Sequence, residues 1–386
     1  MMEYKKLKDC CDIIAGQSPE SKYYNTNGEG IPFFQGKADF GDLYPTVRVY
    51  CSRPTKTAQK DDVLLSVRAP VGPTNLSPGR VCIGRGLCAI RPDNSIKQKY
   101  LLHFFRYFEA QLSSKGTGTT FKAIVQNTVK NIVLPVPPLP VQERIVARIE
   151  ELFSELDKAV ETLQTTKQQL AVYRQAVLKE AFDDINESTT MDALAEMIDP
   201  QPSHRTPKEI PGGIPYIGVG DIDYKQRKIN FTDARKVSPT VMQEHLERYT
   251  LHEGDFITGK IGTIGKPYRV QLPQDYTLSA NVILIQPNSE KVNPYFLFWQ
   301  FSSMHVTKQL SEGATATSQP AFGIKKARLL SIKICNFQKQ AHIVEQIESR
   351  LSVCDSIEQT VNTALAQADS MRQSILKQAF EGGLTQ

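Results

Sequence analysis

The chain has 386 residues, a length typical of two or three domains, and its 40% hydrophobic content is sufficient for hydrophobic cores. Its first residues, MMEYKKLKDCCDI, lack the apolar core of a signal peptide, and the sequence has no run of 18 apolar residues. We therefore expect neither export nor a membrane span. The seven cysteines form no C-x-x-C pair, which favours reduced thiols in the cytoplasm over disulfides or a zinc site.

The net charge of +5 is unevenly distributed along the chain. Residues 1–138 contain 19 lysines and arginines and 11 acidic residues, a net charge of +8. Residues 183–336 contain 17 of each, whereas residues 139–182 and 337–386 are slightly acidic. We therefore expect residues 1–138 to bind a polyanion. Any basic surface of residues 183–336 must be local.

A 41-residue segment occurs twice without a gap, at residues 142–182 and 340–380, and 16 of the 41 aligned pairs are identical. Apolar residues recur at spacings of three and four in both copies, which predicts two helices of roughly 60 Å that pack as an antiparallel coiled coil. The prolines before residue 142 and the glycines at 382 and 383 mark the ends of the helices. The predicted interface residues are Ile145, Ile149, Leu152, Leu156, Ala159, Leu163, Leu170, Tyr173 and Val177 in the first copy, and Ile343, Ile347, Ile357, Val361, Ala364, Ala368, Met371 and Ile375 in the second.

Polar residues interrupt this pattern. Thr166, Arg350 and Cys354 fall at interface positions, and Leu351 could replace Arg350 there. The alternative to a coiled coil is two independent core helices, but helices in globular domains average about 11–12 residues.

The segments before the two helices also resemble each other. Residues 30–34 match 213–217, residues 61–66 match 254–259, and residues 116–121 match 313–318. Short apolar runs bounded by Gly, Pro and Asn predict strands in both, together with one aromatic helix each, at 100–112 and 295–310. We interpret these aromatic faces as core. The prediction is an α+β fold with an internal pseudo-twofold repeat. Its parts are two similar domains at residues 1–138 and 183–336, and two spacer helices at residues 139–182 and 337–386.

Motifs for catalysis are not recognisable. GKIGTIGKP (259–267) departs from the phosphate-loop spacing and is interpreted as a glycine-rich turn. The six histidines show no metal-binding spacing, and neither a Ser/His/Asp set nor an N-P-P-[YF] methyltransferase motif is present. We therefore expect no catalytic residue, no metal and no cofactor in this chain.

The segment LPVPPLPVQERIVARIEEL closely resembles the central conserved region of the DNA-specificity subunits of type I restriction–modification systems. The second copy, with QKQAHIVEQIESRL and SILKQAFEGGLTQ, is similar to their C-terminal conserved region, including the F-x-G-x-L ending at Phe380, Gly382 and Leu384. The resemblance covers the whole chain, because the order of two domains, each followed by one conserved helix, also agrees.

This resemblance implies a non-catalytic subunit. Each target-recognition domain is expected to read one half of a bipartite sequence in double-stranded DNA, and the antiparallel helices are expected to set the spacer between the halves. Two methyltransferase subunits, which would bind S-adenosylmethionine, are expected to dock on it, and restriction subunits join in some complexes. A rigid spacer turns two modest half-site affinities into one bivalent interaction.

Base and phosphate contacts require Arg, Lys, Gln, Asn, Ser or Thr on loops that reach the DNA grooves. The candidate DNA-binding residues of the first domain are Gln35, Lys37, Arg48, Arg53, Arg68, Thr117, Thr119 and Lys122. Those of the second are Asp221, Lys225, Arg227, Lys260, Lys266, Ser318, Gln319, Lys325 and Lys326. Aligned positions differ chemically between the copies (Gln35 with Gly218, Arg68 with Ile261), as expected if the domains read different half-sites.

The candidate partner-binding residues lie on the repeated helices and are Glu143, Arg144, Arg174, Lys179, Arg372 and Lys377. Ala341 and His342 replace Glu143 and Arg144 in the second copy, so the second methyltransferase site is expected to be weaker if the first pair contributes. The main alternative is an orphan or phase-variable scaffold subunit without an active restriction complex. A fused enzyme and a single-domain binder fit less well, because the chain has no spare length for a catalytic domain and its globular part is repeated.

Overall fold

The structure is a computed structural model that describes residues 3–114, 123–203, 205–224, 226–314 and 321–382. The chain divides into two compact units. Unit 1 contains residues 1–164 and 362–386, and unit 2 contains residues 165–361. Each unit therefore combines one globular domain with half of each of the two long helices.

Unit 1 mixes short strands and helices. Its strands are β1 (Glu3–Lys6), β2 (Cys11–Ala15), β3 (Tyr24–Asn25), β4 (Ile31–Phe34), β5 (Tyr50–Cys51), β6 (Thr57–Ala58), β7 (Val63–Ser66), β8 (Thr74–Leu76), β9 (Val81–Ile83), β10 (Leu87–Pro92) and β11 (Val133–Val136). Its helices are α1 (Gln98–Ser114), α2 (Gln126–Lys130) and the first half of α3 (Leu139–Asp183). The sheets have the strand orders β2-β10-β7-β8, β3-β5-β4-β9-β6 and β1-β11.

Unit 2 contains the second half of α3 and the second globular domain. Its strands are β12 (Ser188–Thr190), β13 (Ala195–Ile198), β14 (Ile214–Ile217), β15 (Ile222–Asp223), β16 (Lys228–Ile229), β17 (Lys236–Val237), β18 (Phe256–Gly259), β19 (Tyr268–Arg269), β20 (Thr277–Leu278), β21 (Val282–Pro287) and β22 (Ser331–Lys333). Its helices are α4 (Met191–Leu194), α5 (Pro239–Leu246), α6 (Pro294–Phe301), α7 (Met304–Gly313), α8 (Ile324–Arg328) and the first half of α9 (Phe337–Phe380).

The two globular domains have the same topology. The sheet β2-β10-β7-β8 of unit 1 corresponds to β13-β21-β18-β19 of unit 2, and β1-β11 corresponds to β12-β22. In the described part of each domain one pair of the named strands is parallel, β4 with β9 and β14 with β20, and the other paired strands are antiparallel. The predicted α+β class and the internal repeat are confirmed.

The aromatic helices belong to the cores, as predicted. Tyr100, Phe104 and Phe105 of α1 are buried, and so are Phe296 and Phe301 of α6. The prediction of one helix at 295–310 is wrong, because the chain breaks between α6 and α7. The side chain of Ser303 accepts a hydrogen bond from the backbone N–H of Val306 there and starts α7 as its N-cap.

The two long helices pack antiparallel within each unit. In unit 2, Arg174 of α3 contacts Asp355 of α9, and Glu180, further along α3, contacts Arg350, earlier in α9. In unit 1, Ile149 near the start of α3 shares a hydrophobic cluster with residues at the end of α9, including Leu376 and Phe380. At about 1.5 Å per residue, the 45 residues of α3 correspond to roughly 65 Å.

The predicted helix interface is right in part. Ile145, Ile149, Val177, Ile343 and Ile347 are buried. Cys354 is also buried, and Leu351 is buried where Arg350 was expected, so the side chain of Leu351 replaces that of Arg350 in the core.

Ala159, Ile357 and Met371 are exposed, so their predicted place in the interface is wrong. Tyr173 is 42% exposed, but its hydroxyl accepts a hydrogen bond from Arg350 Nε of α9 at 3.1 Å, so it contacts the other helix at the edge of the interface. The reason is a polar contact at the same level of the helices. Arg174 lies between the helices in an ion pair with Asp355, and the adjacent Tyr173 lies at the edge of the interface, with the Arg350 guanidinium carbon 5.4 Å from its ring centroid. In the repeat, Arg372 likewise pairs with Asp157, and the adjacent Met371 is exposed.

A buried glutamine fixes the start of each long helix to its domain. Gln142 Oε1 accepts from the Lys97 N–H at 2.9 Å, and its Nε2 donates to the carbonyl of Ser95 at 2.8 Å. Gln340 Oε1 accepts from the Asn293 N–H at 2.8 Å, and its Nε2 donates to the carbonyl of Cys335 at 2.7 Å. Because buried amides require partners, these identical residues determine where each helix leaves its domain.

None of the helices in the described ranges combines the length and the apolar composition that a membrane crossing requires.

Helix α9 ends at Phe380, close to the helix end that the sequence predicts at Gly382. This residue has φ = +98°, a left-handed conformation that favours glycine.

Candidate DNA interface

Three of the predicted DNA-binding residues of unit 1 line one cleft. Gln35, Lys37 and Arg68 surround a cleft of about 520 Å³, together with Arg85, which the sequence analysis did not single out. All four side chains are exposed. Because none of the lining residues is acidic, the cleft combines three cationic groups and an amide, which are the groups that contact phosphates and base edges.

The cleft forms where β4 ends beside the turn between β9 and β10. Asp39 Oδ2 accepts a hydrogen bond from the Gln35 N–H at 2.7 Å and holds the chain after β4 in a tight turn. Arg85 donates its backbone N–H to Ser18 Oγ at 3.2 Å. Gly86 lies so close to Gln35 that a Cβ on it would be 2.2 Å from the Gln35 carbonyl oxygen. The backbone of both loops is therefore fixed, and their side chains point into the cleft.

Arg68 enters the cleft from the segment after β7. The Ser66 hydroxyl donates to the Arg68 carbonyl at 3.1 Å, and the Ile124 N–H donates to the Val67 carbonyl at 3.0 Å. Arg68 also forms a β-bridge with Ala123. This bridge ties the segment to the end of the glycine- and threonine-rich loop, whose residues Thr117, Thr119 and Lys122 lie outside the described ranges.

Unit 2 has a cleft at the equivalent place, with a volume of about 430 Å³. Its lining includes Tyr216, Gly218, Asp221, Arg235 and Asn281. Asp221 Oδ2 accepts from the Gly218 N–H at 2.8 Å, which repeats the contact between Asp39 and Gln35. The backbone contact that shapes the cleft is thus shared by the two domains, whereas the lining side chains are chemically different.

The loop connection is repeated as well. Ile261, which aligns with Arg68, forms the β-bridge to Ala321, and the Phe322 N–H donates to the Lys260 carbonyl at 2.9 Å. Arg68 and Ile261, which align in the sequence, therefore occupy the same backbone position in the two domains.

The two clefts differ in charge and share tyrosines. Lys37, Arg68 and Arg85 make the first cleft cationic, whereas Arg235 and Asp221 balance each other in the second. Burial raises the pKa of Tyr24 in the first cleft and of Tyr216 in the second. Both phenols therefore stay protonated at neutral pH and remain hydrogen-bonding groups.

Other predicted residues of unit 1 lie away from the cleft lining. Arg53 stacks on Tyr23, with its guanidinium carbon 5.1 Å from the ring centroid, and donates to the Tyr23 hydroxyl at 3.4 Å. Arg48 is exposed and is not part of the lining.

The predicted basic residues of unit 2 are dispersed. Lys260 is 7% exposed, and its ammonium group lies 2.8 Å from the Asp199 carboxylate, with which it forms an ion pair. Arg227 forms an ion pair with Asp355 at 2.7 Å. The Lys266 ammonium lies 5.8 Å from the centroid of Tyr224.

Near the end of unit 2, Lys326 donates to the Gly313 carbonyl at 2.8 Å, and Lys325 is exposed. Lys225, Ser318 and Gln319 lie outside the described ranges. Of the candidates named from the sequence, only Asp221 lines the cleft of unit 2. Arg235 and Asn281 were missed because they are far apart in sequence and meet only through strand pairing. Arg85 could have been identified from the sequence, because it lies between two glycines directly after an apolar run that predicts a strand.

The candidate partner-binding residues fall into two groups. Arg174 contacts Asp355 at 2.7 Å and Glu358 at 2.9 Å, and Arg372 pairs with Asp157, so both arginines hold the helices together. Glu143 pairs with Lys97 at 2.6 Å near the helix start. The remaining candidates have exposed side chains on the helix surfaces: Arg144, Lys179 and Lys377.

The described residues contain no group of three or more His, Cys, Asp or Glu side chains arranged to hold a metal ion.

The chain is similar to several known proteins. The MjaX specificity subunit of a type I restriction enzyme from Methanocaldococcus jannaschii is 37% identical over 167 residues, which is 43% of this chain and 38% of that protein. The EcoBI specificity subunit from Escherichia coli is 23% identical over 410 residues, covering 98% of this chain and 85% of that protein. The HsdS subunit structure from Thermoanaerobacter tengcongensis is 48% identical over 40% of this chain and 37% of that one, with a TM-score of 0.37.

The family model described as the type I restriction modification DNA specificity domain matches residues 1–170 and again residues 200–367. The two matches coincide with the two copies of the fold and include both clefts. The chain therefore belongs to the type I restriction modification DNA specificity family and contains the family's domain twice.

Proposed function

We propose that this chain is the non-catalytic specificity subunit of a type I restriction–modification complex and that it recognises a bipartite target in double-stranded DNA. Each domain reads one half of the target through its cleft. The observation that most directly supports this proposal is the presence of equivalent clefts with different linings in the two copies of the family domain. Two clefts of identical chemistry would instead suit a symmetric target.

The paired helices set the spacing between the half-sites in this proposal. Contacts within each unit support this proposal, because one half of α3 packs against one half of α9 through buried apolar side chains and an ion pair. Rigid positioning lets only DNA of the matching spacer length engage both domains at once, which raises affinity and selectivity together.

Methyltransferase subunits dock on the helices and provide S-adenosylmethionine and the catalytic residues, and restriction subunits join the complex where they are present. The exposed apolar residues of the helices support such a surface. Tyr173 and Ile357 in unit 2 are 42% and 40% exposed, and Met371 in unit 1, which aligns with Tyr173, is 54% exposed. Because the repeat places apolar residues at equivalent outward positions, two copies of one partner can bind in the same way.

Co-expression with the methyltransferase encoded by a neighbouring gene tests this proposal. The expected product is a complex of one chain and two methyltransferase copies that retains duplex DNA, whereas the chain with an unrelated methyltransferase should not form one. Native mass spectrometry gives the stoichiometry, and a filter-binding assay gives the DNA affinity. The absence of any complex would contradict the proposal.

The second candidate function is a scaffold subunit without an active restriction complex, because the helices alone could bind a partner. A stable complex that creates no sequence-specific methylation would favour this alternative.

A further inference from the structure

The turn that follows the parallel strand occupies the same place in both clefts. Residues 84–86 connect β9 to β10 in unit 1, and residues 279–281 connect β20 to β21 in unit 2. The Gly84 N–H donates to the Phe34 carbonyl at 2.8 Å, and the Ser279 N–H donates to the Ile217 carbonyl at 2.8 Å. The middle residues are held in the same way, since Ala280 donates its N–H to the Tyr216 hydroxyl at 2.9 Å, as Arg85 does to Ser18.

The glycines that allow the two facing segments to approach lie in the turn in unit 1 and in the facing strand end in unit 2. In unit 1 the turn contains glycines, and a Cβ on Gly84 would lie 3.2 Å from the Cα of Gln35. In unit 2 the opposite strand end contains the glycine, and a Cβ on Gly218 would lie 2.6 Å from Asn281 Oδ1 and 2.7 Å from Ser279 Oγ. One of the two facing segments must lack side chains for the backbones to approach. The same backbone therefore presents arginine and glutamine in unit 1 but serine and asparagine in unit 2.

Arg85 is suited to direct readout of a base. Its side chain is exposed at the cleft, and its guanidinium forms no hydrogen bond or ion pair with any residue in the described ranges. Its backbone is fixed on both sides by the glycines that pack against the neighbouring strand. A guanidinium in such a position matches the O6 and N7 acceptors of guanine in the major groove with two hydrogen bonds.

Asn281 has the chemistry for a different base. Its Oδ1 accepts a hydrogen bond from the Ser279 hydroxyl, which fixes the plane of the amide. Within the described part of the chain, Nδ2 has no hydrogen-bond partner, and Oδ1 keeps a second lone pair. An amide with a free donor and a free acceptor matches N7 and the N6 amino group of adenine.

We propose that this turn is the base-reading element of both domains, with Arg85 selecting a guanine in one half-site and Asn281 selecting an adenine in the other. The inference rests on the proposed function, because it assumes that the two clefts bind the two halves of one target. Lys37 and Arg68 beside Arg85 then contact phosphates and hold the duplex in the first cleft.

Selection from a pool of randomised double-stranded DNA by the purified complex with its methyltransferase tests the proposal. Arg85→Gln replaces a guanine-reading group with one that matches adenine, so one position of one half-site should change its preference from guanine to adenine. Asn281→Asp keeps the size of the side chain but removes the Nδ2 donor, so one position of the other half-site should change from adenine to cytosine, whose N4 amino group a carboxylate accepts. The preference lost at each position is expected to be on the order of 10- to 100-fold.

Arg80→Ala serves as the matched control, because Arg80 is an exposed arginine of the same domain that does not line the cleft. It should leave both half-sites unchanged. If Arg85→Gln and Asn281→Asp also leave both half-sites unchanged while the wild-type complex selects a bipartite target, the base-reading role of the turn is wrong and the proposed function stands. A wild-type complex that selects no sequence would contradict the proposed function and the inference together.

Discussion

Arg174 and Asp355 connect the two long helices of unit 2 through an ion pair of 2.7 Å, and the repeat places the same two residue types, Arg372 and Asp157, in an equivalent ion pair in unit 1. In each pair the arginine lies in the second half of one helix and the aspartate in the first half of the other. Identical residues in a repeat can thus mark contacts between its copies. Here the two ion pairs fix the antiparallel register of α3 and α9.

The contribution of this contact is measurable with a double-mutant cycle. Arg174→Ala, Asp355→Ala and the double variant should give a coupling free energy of about 1 kcal/mol in urea unfolding, since the two side chains are 22% and 38% exposed and solvent screens the attraction. The cycle of Arg372 and Asp157, which are 33% and 58% exposed, should give a smaller value. Two single-variant losses that sum to the loss of the double variant would show that the contact does not stabilise the helices.

The pH dependence of stability should reveal the buried His103 of unit 1. Burial lowers the pKa of His103 from 6.5 to about 4. The unfolded chain therefore binds the proton more tightly, and the contribution of His103 to stability is complete above about pH 6.5 and is lost as the pH falls towards 4.

His103→Phe removes this titration, so the free energy of unfolding of the wild type should fall relative to that of the variant by up to about 3 kcal/mol between pH 7 and pH 4. Denaturant unfolding of both proteins at several pH values measures the difference. A difference in the free energy of unfolding between the two proteins that does not change with pH would contradict a neutral, buried His103. The nearby Glu150, 4.0 Å away, reduces the effect without reversing it.

The salt dependence of DNA binding should separate cleft residues from structural ones. If Lys37 and Arg68 contact phosphates, Lys37→Ala and Arg68→Ala should each reduce the slope of log K against log salt by about 0.9. Lys260→Ala should leave the slope unchanged and lower the free energy of unfolding by about 2 kcal/mol, because it leaves the Asp199 carboxylate without its ammonium partner. A salt slope that responds to Lys260→Ala but not to the cleft variants would place the interface elsewhere.

The outward apolar residues of the helices should affect partner binding. Tyr173→Lys and Met371→Lys each place a charge on one of the two proposed docking surfaces, so each variant should retain one methyltransferase copy and the double variant none. Native mass spectrometry of the complexes counts the copies. Val353→Lys is a further variant of the unit 2 surface, since Val353 is 58% exposed. Full complexes with all of these variants would show that the methyltransferase binds another part of the chain.

Sequence was sufficient for the parts of this fold that are encoded locally and repeated. The long helices, the order of the domains and the alignment of Arg68 with Ile261 could be predicted, because helical periodicity and internal similarity are directly visible. The position of Tyr173 at the edge of the helix interface could not, since it depends on two polar contacts with the other helix, that of the adjacent Arg174 with Asp355 and that of Arg350 with the Tyr173 hydroxyl.

The cleft of unit 2 also required the structure. Tyr216, Arg235 and Asn281 come from three separate segments, and they share a cleft only because β17, β14 and β20 lie side by side. The basic residues chosen by charge, such as Lys260 and Arg227, were instead engaged with Asp199 and Asp355. Charge alone does not distinguish a lysine that pairs within the protein from one that meets DNA.

The most direct test of a two-part specificity role is methylation mapping of genomic DNA in cells that contain the neighbouring methyltransferase, with and without this chain. The proposal predicts a bipartite methylated motif, with two different half-sites and a fixed spacer, that appears only when the chain is present. A methylation pattern that is identical with and without the chain, or a motif that consists of a single continuous sequence, would contradict it.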